Sequence, residues 1–314
     1  MADIILVHGI GQQRCSADQL ESAWLPTLAG AIRNLGEVEL ADRLWRAAGQ
    51  PGGIETRMAF YGHLFLRPGQ QGDDPGEFNA EEAEIAEALA QEWLHRSATR
   101  SSRESDQILA QRELAYVNRQ MGEEQGLGSV ARSAVGSLAR IPWFAAMGMG
   151  LAERTIKRDL AQVTRYFTEE GVRTAAQQQV LQLVDESTKV VIGHSLGSVV
   201  AYEVAHSLAH ALPMLITLGS PLGLQSIVYQ RLRPQPPSFP SAVQYWLNVS
   251  DKDDLVAAEP DLIPFFGSSL PTGATFDGAF TVDNGSDPHN AEFYLGDKKV
   301  ADAVRAALSR GSGS

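Results

Sequence analysis

With 314 residues, of which 44% are hydrophobic and 20% charged, the chain has the composition of a soluble globular protein with a large core. Its formal net charge of −12 and the absence of a Lys/Arg run argue against nucleic acid as a partner, because phosphate binding needs clustered basic side chains. A single cysteine, Cys15, excludes an internal disulfide bond and favours a reducing, cytoplasmic location.

Short β-rich runs alternate with longer helical patterns along the chain, which is typical of a mostly parallel sheet with helices on both faces. The first run follows the N-terminus without a basic segment, so we expect a strand there and no secretion signal. The predicted strands are residues 4–7, 56–61, 189–192, 214–218, 243–249 and 279–282. The predicted helices are residues 16–35, 81–95, 104–121, 151–167, 172–186, 196–209 and 291–308. The expected fold class is therefore α/β, with a sheet of about six strands.

The connection between the second and third predicted strands is far longer than a crossover helix requires. We therefore interpret residues 67–167 as a helical insertion, a candidate cap or lid. Residues 1–66 and 168–310 would form the α/β core, and residues 311–314 a flexible tail.

Within the insertion, residues 126–150 combine an amphipathic helical pattern with an apolar stretch rich in glycine and methionine. Leu138 and Ile141 fall on the apolar face of this helix, and Ser137 and Arg140 on the polar face. We hypothesise a mobile lid over the site that also contacts a membrane surface or a partner protein. The alternative is a helix that simply packs on the core.

The third predicted strand runs into "GHSLG", residues 193–197, and helical spacing resumes directly after it. A chain that turns sharply from a buried strand into a helix needs small residues on both sides of the turning residue, and Gly193 and Gly197 meet that need. Ser195 is at the centre of the turn, and His194 precedes it. The pattern predicts a nucleophile elbow, with a tight turn that carries no chemistry as the alternative.

A serine nucleophile needs a general base and a carboxylate that orients the base. In the elbow arrangement, the acid and then the histidine follow the serine along the chain, after later strands. The turn after the fifth predicted strand contains Asp251, Asp253 and Asp254, and their positions alone leave all three as candidates. Of the seven histidines, only His289 follows these aspartates, so it is the candidate base.

Acyl transfer also needs an oxyanion hole, in which backbone N–H groups bind the oxygen that becomes negative. One donor is expected from Leu196, the residue after the serine. The second is expected from the loop after the first strand, "HGIG" at residues 8–11, where Gly9 and Gly11 let the backbone approach a substrate. An ordinary strand-to-helix turn is the alternative for this loop.

Several segments resemble bacterial lipases and esterases of the α/β-hydrolase superfamily. They are "HGIG", "GHSLG", "TLGSPLG" at 217–223 and "DDLVA" at 253–257. The resemblance extends over the core from the first strand to the last helix and does not cover the insertion. It implies the α/β-hydrolase fold, without the antiparallel strands that open the full form of that fold.

The same resemblance implies roles for individual residues. The aspartate directly before the aliphatic pair, Asp254, would complete a Ser-His-Asp triad, which leaves Asp251 and Asp253 as turn formers. The second oxyanion donor would be Ile10, and His8 would shape the loop without serving as the base.

The expected function is a serine hydrolase that cleaves small-molecule or lipid carboxylic esters with an apolar acyl part, through an acyl-enzyme. Thioesterase, amidase, phospholipase and acyltransferase activities use the same residues and remain alternatives. A binding or scaffold protein built on a hydrolase fold is the alternative from another class. No cofactor or metal is expected, because neither a His-x-x-x-His spacing nor a Cys/His cluster occurs. The sequence makes no prediction of the oligomeric state.

Overall fold

A computed structural model describes residues 2–66, 76–122, 134–144, 153–257 and 259–309. The chain divides into two compact units. One unit consists of Met1–Leu64 with Thr174–Ser314, and the other of Phe65–Arg173. Within the described residues, we find no helix that combines the length and the apolar composition needed to cross a membrane.

The first unit contains a sheet in which every pair of neighbouring strands is parallel, with the order β2-β1-β3-β4-β5-β6. The strands are β1 (Ile4–Val7), β2 (Thr56–Ala59), β3 (Val190–His194), β4 (Met214–Leu218), β5 (Tyr245–Asp251) and β6 (Thr275–Val282). Strands β1, β3 and β4 are buried along their whole length, and they are rich in Val, Ile and Leu because both faces of a parallel sheet are covered. The predicted α/β class and parallel sheet are confirmed.

The helices named here are α1 (Ala17–Asn34), α2 (Val38–Trp45), α3 (Ala80–Arg100), α4 (Glu104–Gly122), α5 (Glu153–Thr168), α6 (Glu170–Leu181), α7 (Leu196–Ala205), α8 (Ala291–Leu295) and α9 (Lys298–Ser309). Alternate residues of the strands, such as Ile4 and Leu6, pack with α1 and α9 in one apolar cluster. On the other face, the Tyr202 ring of α7 packs at a tilt near Trp246 of β5, with ring centroids 5.6 Å apart.

The structure differs from the predicted elements in the first unit. Strand β6 begins at Thr275, four residues before the predicted 279–282, and the short helix Ile263–Phe266 was not predicted. The sequence analysis missed α2, a helix of 8 residues whose terminal Val38 and Trp45 are exposed, so its apolar spacing is weak. The single helix predicted over 291–308 is divided into α8 and α9. The Asp297 carboxylate accepts a hydrogen bond from the Lys299 N–H at 2.7 Å and so starts a new helix after Gly296.

The second unit is helical. Its helix α3 begins with a capping box in which Asn79 and Glu82 exchange hydrogen bonds of 2.9 Å. Helix α4 runs back along α3, and the Gln111 side chain donates to the Ala98 carbonyl at 3.2 Å. Trp93 of α3 lies close to Phe144, with ring centroids 5.8 Å apart.

Residues 123–133 and 145–152 lie outside the described residues, and with them most of the predicted lid segment 126–150. Of the part that is described, Leu138 and Ile141 are fully buried. Ser137, which the helical pattern places on the polar face, is buried as well, because its hydroxyl donates to the Glu113 carboxylate at 2.9 Å. Arg140 binds the same carboxylate at 2.7 Å. The lid hypothesis stays a prediction.

Candidate functional site

The strand order places the candidate site at the point where the direction of winding changes. The chain passes from β1 to β2 on one side, and β3 then pairs with the other side of β1. In open parallel sheets, ligands bind outside the carboxyl ends of the strands at such a switch point. The loop that begins with His8 follows β1, and Ser195 follows β3, so both candidate segments lie at this crevice.

Ser195 forms the whole turn between β3 and α7. Its backbone angles are φ 53° and ψ −126°, and it is the one non-glycine residue with a positive φ in the part of the chain that the structure describes. This conformation costs on the order of 1–3 kcal/mol and persists only where the surroundings hold it. Here the Ser195 N–H donates to the Leu218 carbonyl at 2.9 Å, and the Ser195 carbonyl accepts the Ser198 N–H at 2.9 Å.

The glycines around the serine leave no room for a side chain. A Cβ on Gly197 would overlap the carbonyl oxygens of Val7 and His8, and one on Gly193 would come within 2.7 Å of Ser198 Cα. A Cβ on Gly9 would lie 2.7 Å from Ser195 Cβ. The loop after β1 is therefore packed directly against the turn at Gly9.

The half-buried His289 and the buried Asp254 form a pair. Nδ1 of His289 lies 2.7 Å from Oδ2 of Asp254, which also accepts the Tyr294 hydroxyl at 2.8 Å. Oδ1 of Asp254 accepts the backbone N–H groups of Val256 at 2.9 Å and Ala257 at 3.0 Å. Burial would raise the pKa of Asp254, but the nearby His289 and these hydrogen bonds outweigh burial and lower the pKa below its ordinary value. The carboxylate is ionised at neutral pH.

The other two aspartates of the turn have different partners. The Asp251 carboxylate accepts the N–H groups of Asp253, at 2.7 Å, and of Asn284. This ties the end of β5 to the segment after β6, and burial raises the pKa of Asp251. The Asp253 carboxylate accepts the Lys252 ammonium at 3.2 Å. Asp254 is the aspartate of this turn that contacts His289.

Two contacts bring this pair to the same edge of the sheet as Ser195. Gly219, directly after the carbonyl that binds the Ser195 N–H, has φ 52°, and a Cβ there would lie 2.9 Å from Asp254 Oδ2 and 3.1 Å from His289 Nδ1. His194 donates from Nε2 to the His289 carbonyl at 2.8 Å, and the two rings have centroids 4.7 Å apart. The serine, the histidine and the aspartate are thus grouped at the carboxyl ends of β3, β4 and β5.

The two expected oxyanion donors, Leu196 and Ile10, come from two segments that adjoin the serine turn. Leu196 is the first residue of α7, and the first N–H groups of a helix have no partner within the helix. Gly9 packs against Ser195, and Ile10, the next residue, is half-buried. Gly11, with φ 82°, then turns the loop away. The structure therefore places both Leu196 and the Gly9–Ile10 segment next to the serine.

His8 is buried and bonded through both ring nitrogens. Nδ1 donates to the Gly9 carbonyl at 2.7 Å, and Nε2 accepts the Tyr61 N–H at 3.1 Å. The Tyr61 ring stacks on it with centroids 4.1 Å apart. Burial lowers the pKa of His8 to about 4, so the ring is neutral at pH 7. These contacts hold the loop after β1 in place.

His194 is neutral for a similar reason. Burial, followed by the neighbouring His289, lowers the pKa of His194 to about 3. Its Nε2–H donates a hydrogen bond to the His289 carbonyl. This bond fixes the backbone of the loop that carries His289.

These two neutral histidines make the stability of the fold depend on pH. In the unfolded chain each takes up a proton near pH 6.5, whereas in the folded chain His8 stays neutral to about pH 4 and His194 to about pH 3. Since the unfolded chain binds more protons in this window, the free energy of unfolding falls as the pH is lowered from 6.5 to 4. The expected slope is up to about 1.4 kcal/mol per pH unit for each histidine.

Urea unfolding at several pH values between 7.5 and 4.5 measures this slope. His194→Gln keeps a side-chain N–H but removes the titration, so we expect the slope to fall by up to about 1.4 kcal/mol per pH unit. His95→Gln, at an exposed position of α3, is the matched control and should keep the whole slope. An unchanged slope in His194→Gln would contradict the assignment of a buried neutral histidine.

Tyr294 is the site residue that the sequence analysis missed. It occupies an apolar position of the short helix α8, where the pattern indicates a core side chain, and nothing in the sequence marks its hydroxyl. Among the residues that the structure describes, no group of three or more His, Cys, Asp or Glu side chains could hold a metal ion.

Comparison of the chain with protein-family models, with curated proteins and with solved structures found no match. The assignment of a function therefore depends on the geometry of this site.

Proposed function

We propose that the chain is a serine hydrolase with an α/β-hydrolase fold that cleaves carboxylic esters through an acyl-enzyme intermediate. The observation that carries the proposal is the strained turn at Ser195, grouped at one sheet edge with the hydrogen-bonded Asp254–His289 pair. A serine in such a turn has its hydroxyl at the sheet edge, and a histidine oriented by an ionised carboxylate is the base that the hydroxyl requires.

In the proposed reaction, Ser195 Oγ attacks the ester carbonyl carbon while His289 Nε2 takes the hydroxyl proton. The Asp254 carboxylate holds the other ring nitrogen and stabilises the imidazolium that forms. The N–H groups of Leu196 and Ile10 bind the oxyanion of the tetrahedral intermediate, and the positive end of α7 adds to this stabilisation.

Collapse of the tetrahedral intermediate breaks the ester bond, and the leaving alkoxide takes the proton from His289. A water molecule, activated by His289, then attacks the acyl-enzyme and releases the acid and free Ser195. Every step uses groups of this chain, so the proposed reaction requires no cofactor and no metal.

Preference for an ester with an apolar acyl part follows from the resemblance to lipases and esterases alone. A thioesterase, amidase, phospholipase or acyltransferase would use the same serine, base and acid and would differ in the leaving group or in the molecule that attacks the acyl-enzyme. Hydrolysis of a graded series of soluble acyl esters and thioesters, with and without an added alcohol, separates these activities.

A fluorophosphonate probe tests the proposal directly, because it phosphonylates a serine only when a base and an oxyanion hole activate that serine. We expect labelling of the folded wild-type protein at Ser195 and none in Ser195→Ala. Ser207→Ala, which removes a hydroxyl near the end of α7, is the control and should label like wild type. A folded protein that resists the probe would instead support the scaffold hypothesis.

A further inference from the structure

The Tyr294 hydroxyl joins the two ends of the aspartate turn. It donates to Asp254 Oδ2 at 2.8 Å and accepts the backbone N–H of Asp251 at 2.8 Å. The tyrosine side chain is fully buried, and a Cβ on Gly219 would lie 3.1 Å from its Cε2 atom. The close packing of the ring and the two bonds of the hydroxyl define one position for this side chain.

Oδ2 of Asp254 therefore receives two donors, the Tyr294 hydroxyl and Nδ1 of His289. Both donors come from one short segment, since His289 precedes α8 and Tyr294 lies within it. The tyrosine thus connects the segment that carries the base to the turn that carries the acid, at the oxygen atom that the base uses.

We propose that Tyr294 is a positioning residue of the Ser195–His289–Asp254 triad, and this inference rests on the proposed function. It holds Oδ2 of Asp254 where the oxygen receives the imidazole N–H, and it withdraws part of the carboxylate charge from that bond.

The phenol acts only as a donor toward the carboxylate. Burial, together with the adjacent Asp254 charge, raises the pKa of Tyr294 well above its ordinary value, so the hydroxyl keeps its proton at neutral pH. A donor on Oδ2 stabilises the carboxylate charge and so weakens its attraction for the proton on the imidazole. Without the hydroxyl, the protonated imidazole becomes more favourable, and the free base is lost at a higher pH.

Several titratable groups surround the pair, and they come from different elements. His194 at the end of β3 faces His289, Asp251 at the end of β5 faces Tyr294, and His8 after β1 lies near His194. Removal of the Tyr294 hydroxyl leaves all of these groups in place, so a change in the pH profile reports on the Tyr294–Asp254 bond.

Tyr294→Phe keeps the ring and removes the hydroxyl. We expect kcat on an activated ester to fall about 10- to 100-fold, which corresponds to the loss of one hydrogen bond to a charged group. KM should be unchanged because the fully buried tyrosine offers no surface to a substrate. In the pH profile of kcat/KM, the acidic limb, where activity falls at low pH, should move to higher pH by at least about half a unit. Rates are normalised to the fraction that a fluorophosphonate titrates, so that partial unfolding cannot imitate the effect.

Tyr202→Phe is the matched control. The Tyr202 hydroxyl also donates to a backbone carbonyl and accepts a backbone N–H, at 2.8 Å and 3.1 Å, but both groups belong to Ser238. This variant should lose stability without moving the acidic limb. The proposal would be overturned if Tyr294→Phe had the pH profile of kcat/KM and the kcat of the wild-type protein.

Incorporation of 3-fluorotyrosine at position 294 tests the bond if the phenylalanine variant does not fold. The more acidic hydroxyl is a stronger donor, so the acidic limb should move to lower pH, opposite to the shift in Tyr294→Phe; an unmoved limb would overturn the proposal.

Failure of the proposed function looks different, because the wild-type protein would then neither hydrolyse esters nor react with the probe. In that case the NMR resonance of the His289 Nδ1–H proton tests the inference. The fluorinated phenol should shift this resonance, and an unchanged resonance would overturn the Tyr294–Asp254 coupling.

Discussion

Replacement of Ser195 or His289 by alanine is expected to lower kcat/KM for an activated ester by about four to six orders of magnitude. In the proposed reaction, Ser195 supplies the atom that forms the acyl-enzyme, and Gly193 and Gly197 leave no room for a further side chain around its turn. In the same proposed reaction, His289 transfers the proton in both halves. Because the two residues act as a unit, the double variant should be no slower than the worse single variant.

A second pair of variants separates loss of chemistry from loss of fold. Alanine at position 195 must adopt the same φ of 53° as serine and should leave stability nearly unchanged, whereas Ser195→Gly relieves the strain and should raise the free energy of unfolding by about 1 kcal/mol. Both variants should be inactive. A Ser195→Ala protein that is folded by circular dichroism and retains a tenth of the wild-type activity would exclude Ser195 as the nucleophile.

The sheet could be predicted well because its residues satisfy a simple physical requirement. A parallel strand covered on both faces needs a short continuous apolar run, and the bounds of β1 and β4 agree with the predicted 4–7 and 214–218. Helix α2 could not be found in this way, because only Ala41 and Leu44 within it are buried. Two buried residues in eight do not produce a periodic signal.

The candidate site could be predicted in part, and the limit is visible at the aspartate turn. The glycine spacing around Ser195 follows from backbone sterics, so a sequence can reveal the turn. Asp251, Asp253 and Asp254 are three identical side chains within four residues, and the sequence alone does not say which of them reaches a histidine 35 residues further along the chain. That depends on side-chain direction. Asp251 turns toward Asn284 and Asp254 toward His289.

The role of Tyr294 could not be predicted from the sequence either. Its ring satisfies the apolar pattern of a core position, and this hides the hydroxyl that binds Asp254. A polar atom at the end of an apolar side chain leaves no trace in hydrophobic periodicity. Ser137 shows the converse, because a polar side chain is buried where a distant carboxylate, Glu113, accepts its hydroxyl.

Asp254→Asn is expected to lower kcat by about three to four orders of magnitude while leaving the fold intact. The amide keeps the volume of the carboxylate but removes the charge that stabilises the imidazolium. It also places two N–H donors among groups that now donate to the carboxylate, the imidazole of His289 and the hydroxyl of Tyr294. Two donors cannot hydrogen-bond to each other, so the imidazole adopts the tautomer with its proton on Nε2. In the proposed reaction Nε2 must instead accept the proton of Ser195.

The neighbouring aspartates supply the controls for this variant. Asp253→Asn removes a charge that is paired with Lys252 and that does not contact His289, so kcat should stay within about threefold of wild type. Asp251→Asn removes an acceptor that holds the Asn284 N–H, so we expect lower stability in urea with a much smaller loss of kcat than in Asp254→Asn. If Asp253→Asn or Asp251→Asn lost more activity than Asp254→Asn, the acid would be another member of the turn. The serine and the histidine would keep their roles, since their placement does not depend on which aspartate orients the imidazole.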